Sequence, residues 1–142
     1  MVKRKSTFIS ILILLSLILT GVVTMAQGPV QEAADDFFSG GPKHIAAVGV
    51  FDNLNDGDDG NNPFIIDVRK PEDYALSHVP GAVNIGVTAL FTADKLAELP
   101  ADRDIVIYCY TGQTSSQATT ALNMLGYKAK SMLFGFPGWS AA

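Results

Sequence analysis

Asp104-Ile105-Val106-Ile107-Tyr108-Cys109-Tyr110-Thr111-Gly112-Gln113-Thr114-Ser115 is the stretch on which the reading of this chain turns. Asp104 to Tyr108 is an apolar run without alternation after its first residue, which predicts a strand buried on both faces. The only cysteine of the chain then opens a short polar loop. Ser116 to Leu125 reads as a helix, with Gly126 as its stop. Strand, cysteine, tight loop and helix together aim a thiolate at a ring of backbone N–H groups. The N-terminus of the helix adds a partial positive charge that favours anions and lowers a thiol pKa. A lone cysteine is commonly an inert buried residue. It is the position of Cys109, at the end of a strand and the start of that loop, that singles it out.

Outward from this stretch the pattern repeats. Ile45, Val48, Phe51 and Leu54 recur at helical spacing and predict a helix over Ala46 to Leu54. Asn55 to Pro63 is nearly all Asp, Asn and Gly; its acidic residues do not follow the spacing of a calcium loop, so it reads as a solvated turn. Phe64 to Val68 predicts a second strand buried on both faces. Pro71 to Ala75 starts a helix, since proline suits the first turn and acidic residues suit a helix N-terminus. His78 to Gly81 is a turn, and Ala82 to Ile85 a short strand. Thr92 to Leu99 is helical with Thr92 as its cap, and Lys130 to Leu133 is a last strand. Short strands alternating with helices predict an α/β fold with a central, mostly parallel sheet flanked by helices on both faces. Ligands of such sheets bind beyond the carboxyl ends of the strands, which is where Cys109 falls.

The N-terminus has the form of an export signal. Lys3, Arg4 and Lys5 precede an apolar stretch from Phe8 to Val23, and Thr24-Met25-Ala26 resembles a cleavage site. The expectation is a signal peptide over residues 1–26, or an uncleaved N-terminal anchor, followed by a polar tether over 27–43 and a single domain over 44–142. The location implied is periplasmic or extracellular, membrane-tethered only if the segment is retained. Removing residues 1–26 takes away three cations and no acid, which moves the formal charge from −4 to −7. An acidic domain without basic clusters is a poor partner for nucleic acid or an anionic membrane. A single cysteine cannot close an internal disulfide, so outside the cytoplasm it is buried, reactive, or paired with another molecule. Two histidines and one cysteine at wide separation make no metal-ligand set.

Two segments now stand together: Asp67-Val68-Arg69, Glu72-Asp73-Tyr74 and His78-Val79-Pro80-Gly81-Ala82-Val83-Asn84-Ile85, and then the loop from Cys109 to Ser115. With Gly135-Phe136-Pro137-Gly138-Trp139 near the end, they resemble the motifs of the rhodanese-like family in the family's order. The resemblance covers roughly Ile45 to Trp139. Ser77 departs from it where the family usually has glycine before the histidine, and Phe134 replaces one of two glycines. The chain ends three residues after Trp139, where many family members continue into a last helix.

The resemblance implies a sulfurtransferase without a cofactor. Cys109 would take a sulfane sulfur from thiosulfate, polysulfide or a persulfide and pass it to cyanide, a small thiol or an envelope protein. The amides and hydroxyls of Tyr110, Thr111, Gly112, Gln113, Thr114 and Ser115 would hold the anion, with Asp67 and Arg69 in support. For Asp67 the expected contact is the loop or an adjacent side chain, and for Arg69 it is Glu72 or Asp73; bracing of the fold is an equal alternative for both. His78 reads as structural and Trp139 as a core anchor. Family members that act well on thiosulfate often carry Arg or Lys in the loop, whereas Tyr110, Thr111 and Gln113 are uncharged, so weak thiosulfate activity is expected. A phosphatase or arsenate reductase of the Cys-(x)5-Arg type is disfavoured, because the sixth residue after Cys109 is Ser115. A binding or sulfur-carrier module without turnover is the other reading that stays open.

Overall fold

The computed structural model describes residues 28–140. The segment read as an export signal lies outside them. The chain divides into two compact units, one up to Ser39 and one from Gly40 onward. In the first, Pro29–Ser39 forms helix α1 inside the stretch expected to be a tether. Proline at the first turn, Glu32 behind it and the run of Gln, Glu and Ala are all compatible with a helix, and Gly40-Gly41 ends it.

The second unit holds β1 (His44–Ile45), α2 (Ala47–Asn55), β2 (Phe64–Asp67), α3 (Pro71–Leu76), β3 (Val83–Asn84), α4 (Val87–Leu90), α5 (Ala93–Glu98), β4 (Ile105–Tyr108), α6 (Gln113–Met124), β5 (Ala129–Met132) and α7 (Gly135–Ser140). The strands form one five-stranded sheet in the order β1-β5-β4-β2-β3, and every pairing is parallel. The expected fold class is therefore the observed one. β4 lies at the centre, and all four of its residues are buried.

Alternation along the strands sorts the core into two layers. On one face Ile65, Val106, Tyr108 and Met132 meet Ala47 and Val50 of α2, with Tyr74, Phe136 and Trp139 packed around them. On the other, Ile66, Ile105, Ile107 and Ala129 meet Leu90, Leu99, and Ala118 and Leu122 of α6. Trp139 is thus a core anchor, as expected. Truncating a fully buried strand residue such as Ile107 to alanine costs about 2–5 kcal/mol in cores of this kind.

Several boundaries differ from the sequence reading. α6 begins at Gln113 instead of Ser116, because Gly112 reverses the chain in a left-handed conformation (φ 93°) immediately after the loop. Two short helices, α4 and α7, and the two-residue strand β1 carry no periodicity long enough to be read. Thr92 makes no side-chain cap; its hydroxyl donates instead to the Ala89 carbonyl at 2.9 Å, an acceptor that α4 places within reach.

Candidate active site

β4 delivers Cys109 to the carboxyl edge of the sheet, where the residue is only 3% exposed. Three residues then suffice to turn the chain into α6. The turn depends on Gly112, whose positive φ a side chain would resist. This curl brings the Gly112 backbone N–H to the sulfur, to which it donates at 3.2 Å. Ser115, on the first turn of α6 and fully buried, places its hydroxyl 3.6 Å from the same sulfur. Burial pushes the Cys109 thiol up. Hydrogen bonds from the Ser115 hydroxyl and from the amides of Ser115, Thr111 and Gly112 outweigh it, so the thiol lies below its ordinary value. The net result is a thiolate-favouring site made of amide dipoles, one hydroxyl and a helix N-terminus.

The hydroxyls around the sulfur form a chain. Ser115 Oγ lies 2.8 Å from Ser131 Oγ on β5 and 3.1 Å from the Gly112 carbonyl oxygen, a second acceptor for its one proton. Ser116 Oγ donates to the same carbonyl at 2.7 Å and lies 3.3 Å from Ser131 Oγ. Ser131 escaped the sequence reading, since a serine inside a strand carries no signal until the fold sets it beside the loop.

Of the six loop residues singled out by sequence, Gly112 and Ser115 contact the sulfur most directly, and Thr111 contributes its amide. Gln113 and Thr114 open α6 as helical residues. Tyr110 is 44% exposed, and its hydroxyl is engaged elsewhere: it donates to Asp73 Oδ2 and accepts the Lys70 backbone N–H at 3.2 Å. The carboxylate of Asp73 holds the Tyr110 phenol above its ordinary value. Tyr110 therefore staples the loop to the start of α3.

Asp67 and Arg69 form a buried ion pair behind the loop. Arg69 Nη2 meets Asp67 Oδ2 at 2.7 Å, Nε donates to both carboxylate oxygens, and the Arg69 backbone N–H donates to Oδ1 at 2.8 Å. The expected partners Glu72 and Asp73 are not used; Nη2 also donates to Ser77 O, at 2.7 Å. A two-residue separation lets one carboxylate cap its own turn and hold the guanidinium, which residues on α3 cannot match. Burial pulls the Arg69 guanidinium down, and the Asp67 carboxylate more than restores it. The Arg69 guanidinium also stacks 3.8 Å from the Phe136 ring centroid and 6.0 Å from that of Tyr110. The pair thus braces β2, the loop and α7 together. Tyr108, fully buried beside it, accepts the Val79 N–H at 3.1 Å; burial, with the Asp67 bond, drives its phenol far above the ordinary value. His78 stacks on Tyr74 at 4.0 Å and pairs its Nδ1 with the Tyr74 carbonyl at 2.9 Å, a structural role.

α7 closes the site from behind. The Gly135 Cα faces the loop so closely that a Cβ there would lie 2.3 Å from the Cys109 carbonyl oxygen and 2.8 Å from the Thr111 nitrogen. Among the described residues no group of three or more His, Cys, Asp or Glu side chains is placed to hold a metal ion.

Comparison with known proteins agrees with this geometry. The sequence model of the rhodanese-like domain matches residues 50–142. Thiosulfate sulfurtransferase GlpE of Pseudoalteromonas translucida is 32% identical over 101 residues, covering 70% of this chain and 90% of that protein. The probable adenylyltransferase/sulfurtransferase MoeZ of Mycobacterium tuberculosis is 34% identical over 84 residues, 58% of this chain and 21% of its own length. The chain spans about a fifth of the length of MoeZ and of several other curated relatives it matches. The crystal structure of a rhodanese-related protein from Thermoplasma volcanium superposes with a TM-score of 0.60 at 22% identity, covering 70% of this chain and 91% of that one. With a parallel sheet, a cysteine loop at its carboxyl edge and a family match over most of its length, the chain belongs to the rhodanese-like domain family.

Proposed function

We propose that this protein is a sulfurtransferase in which Cys109 carries the transferred sulfur. The observation that carries the reading is the setting of the thiol: nearly buried at the carboxyl edge of the sheet, with the Ser115 hydroxyl 3.6 Å and the Gly112 N–H 3.2 Å from the sulfur, an arrangement that favours the thiolate. A thiolate is the form that attacks a sulfane sulfur. With thiosulfate, the Cys109 sulfur bonds to the outer sulfur, the S–S bond of the donor breaks, and sulfite leaves with the bonding pair. The persulfide so formed keeps its negative charge on the outer sulfur, facing the amides that held the thiolate. Cyanide or a thiolate then takes that outer sulfur, and the Cys109 thiolate returns. No cofactor enters either step.

The name of the GlpE relative supports thiosulfate as a donor. The surroundings of the loop favour a different preference. Tyr110, Thr111 and Gln113 offer no cation to a sulfonate, and the chain carries a net charge of −4. A cysteine that is 3% exposed is reached more readily by the slender, unbranched chain of a polysulfide or a persulfide than by thiosulfate with its bulky sulfonate. Polysulfide or a thiol-bound persulfide is accordingly the better donor, and a thiol or a partner protein in the cell envelope the acceptor. Export rests on residues 1–26 and is tested by whether the protein recovered from cells begins at Gln27.

The decisive experiment is intact mass of the wild type and C109S after mixing with thiosulfate or with polysulfide. One added sulfur, about 32 Da, absent from C109S and removed by cyanide, is the expected result. No adduct from either donor overturns the reading and leaves a binding module. Steady-state rates with the two donors side by side then test the preference, which a clear advantage for thiosulfate overturns.

A further inference from the structure

We propose that Ser131 is a positioning residue for the Cys109 sulfur: its hydroxyl donates to Ser115 Oγ and so leaves the single Ser115 proton to the sulfur. The inference rests on the reading above that Cys109 is the reacting group, and it concerns how the fold orients the hydroxyl beside it.

The argument is a count of protons. Ser115 has one hydroxyl proton and three acceptors around it: the Gly112 carbonyl at 3.1 Å, Ser131 Oγ at 2.8 Å and the Cys109 sulfur at 3.6 Å. The sulfur is the most distant, and without help the proton goes elsewhere. Two neighbours remove the competition. Ser116 gives the Gly112 carbonyl both its hydroxyl, at 2.7 Å, and its backbone N–H, at 3.0 Å, and so fills the two lone pairs of that acceptor. Ser131 can run its bond to Ser115 in either direction. Donating into Ser115 Oγ, it occupies an acceptor lone pair of that oxygen and frees the proton for the sulfur.

A thiolate selects that direction. Its charge attracts the nearest proton, and a hydroxyl that donates to an anion becomes a better acceptor for the next hydroxyl in line. Both serines are closed to solvent, Ser115 fully and Ser131 at 3% exposure, so water does not substitute for either of them. The placement of Ser131 also calls for an explanation. Paired in register with Ile107, it occupies the α6-facing layer where Ala129 and Ile107 are core residues. A serine there sacrifices apolar burial unless its hydroxyl is used.

The test is the pH profile of Cys109 alkylation by iodoacetamide, which reads the thiolate directly and needs no sulfur transfer. S131A raises the midpoint by about 0.5–1 pKa unit, as expected for a weakened bond to an anion. In an S115A background the same substitution has no further effect, because Ser131 acts through Ser115. S131T keeps the hydroxyl and restores the wild-type midpoint. S116A, at an exposed position that does not threaten folding, raises the midpoint too, since the Gly112 carbonyl then reclaims the Ser115 proton. An unchanged midpoint in S116A and S131A overturns the proposal, as does an S131A shift that persists without Ser115. If the midpoints move as stated while no persulfide forms, the positioning role stands and the sulfur-transfer reading falls; a persulfide with unmoved midpoints means the reverse.

Discussion

The backbone N–H of Phe136 donates to the carbonyl oxygen of Cys109 at 2.8 Å. Through this bond α7 grips the cysteine loop by its own backbone. The grip requires Gly135 in between, at φ 60° and with no room for a Cβ. The loop is therefore held on three sides: α6 carries its end, Tyr110 ties it to α3, and α7 closes it from behind.

Gly135→Ala should be strongly disruptive. Its Cβ would meet the Cys109 carbonyl oxygen at 2.3 Å and the Tyr110 carbonyl carbon at 2.8 Å, both of them backbone that cannot swing aside. A loss of more than about 2 kcal/mol is expected in urea unfolding, together with slower alkylation of Cys109 in whatever folds. Wild-type stability and reactivity in this variant would show that the loop is free to move away.

Phe134→Gly should have the opposite sign. Phe134 holds a left-handed conformation at φ 61° and is 74% exposed, so the backbone is strained and little apolar burial is at stake. Relief of the strain, less the entropy that glycine adds to the unfolded chain, leaves a gain of up to about 1 kcal/mol. A rise in the denaturation midpoint at unchanged m-value is the expected reading, and a fall would mean that the ring has a packing role.

Asp67→Asn should cost about 3–5 kcal/mol, because it leaves the buried Arg69 guanidinium without a counter-charge. The measurement is again urea unfolding. A cost below about 1 kcal/mol would mean that the contacts of Arg69 to Ser77 and Phe136 hold the guanidinium without Asp67.

The reactivity of Cys109 should fall as pH falls, with a midpoint below the ordinary thiol value of 9.0. The sign follows from the direction of the shift. The folded state favours the thiolate, so its bonds to Gly112 and Ser115 add stability above the unfolded thiol pKa. That contribution is lost as pH falls through the folded midpoint. Alkylation in denaturant should return the midpoint to the ordinary range, and coincidence of the folded and unfolded profiles would contradict the geometry.

Local sequence was enough to mark Cys109 and the loop after it as the candidate site. The run Ile105 to Tyr108 is apolar without alternation, which fits only a strand with both faces covered, and the glycine and hydroxyl residues after Cys109 are those of a tight, anion-facing turn. Asp67 and Arg69 entered through the resemblance of Asp67-Val68-Arg69 to a family motif and not through any local periodicity. The partner of Arg69 was not legible, since burial chose Asp67 over the acidic residues on α3. Nor was the helix start at Gln113, which depends on the left-handed turn at Gly112 instead of on any periodicity.

Strand order, solvent exclusion and contacts across the chain belong to the tertiary structure alone. Tyr110 sits in the loop and reaches Asp73 thirty-seven residues earlier. Ser131 lies sixteen residues beyond Ser115 and touches it only because β5 packs beside β4 under α6. Gly135 has its meaning only because α7 folds back against the cysteine loop. Periodicity and turn chemistry act over a few residues and are written in composition. The direction of a hydroxyl proton or the fit of a missing Cβ depends on which distant segments meet, and that is settled only when the sheet is assembled.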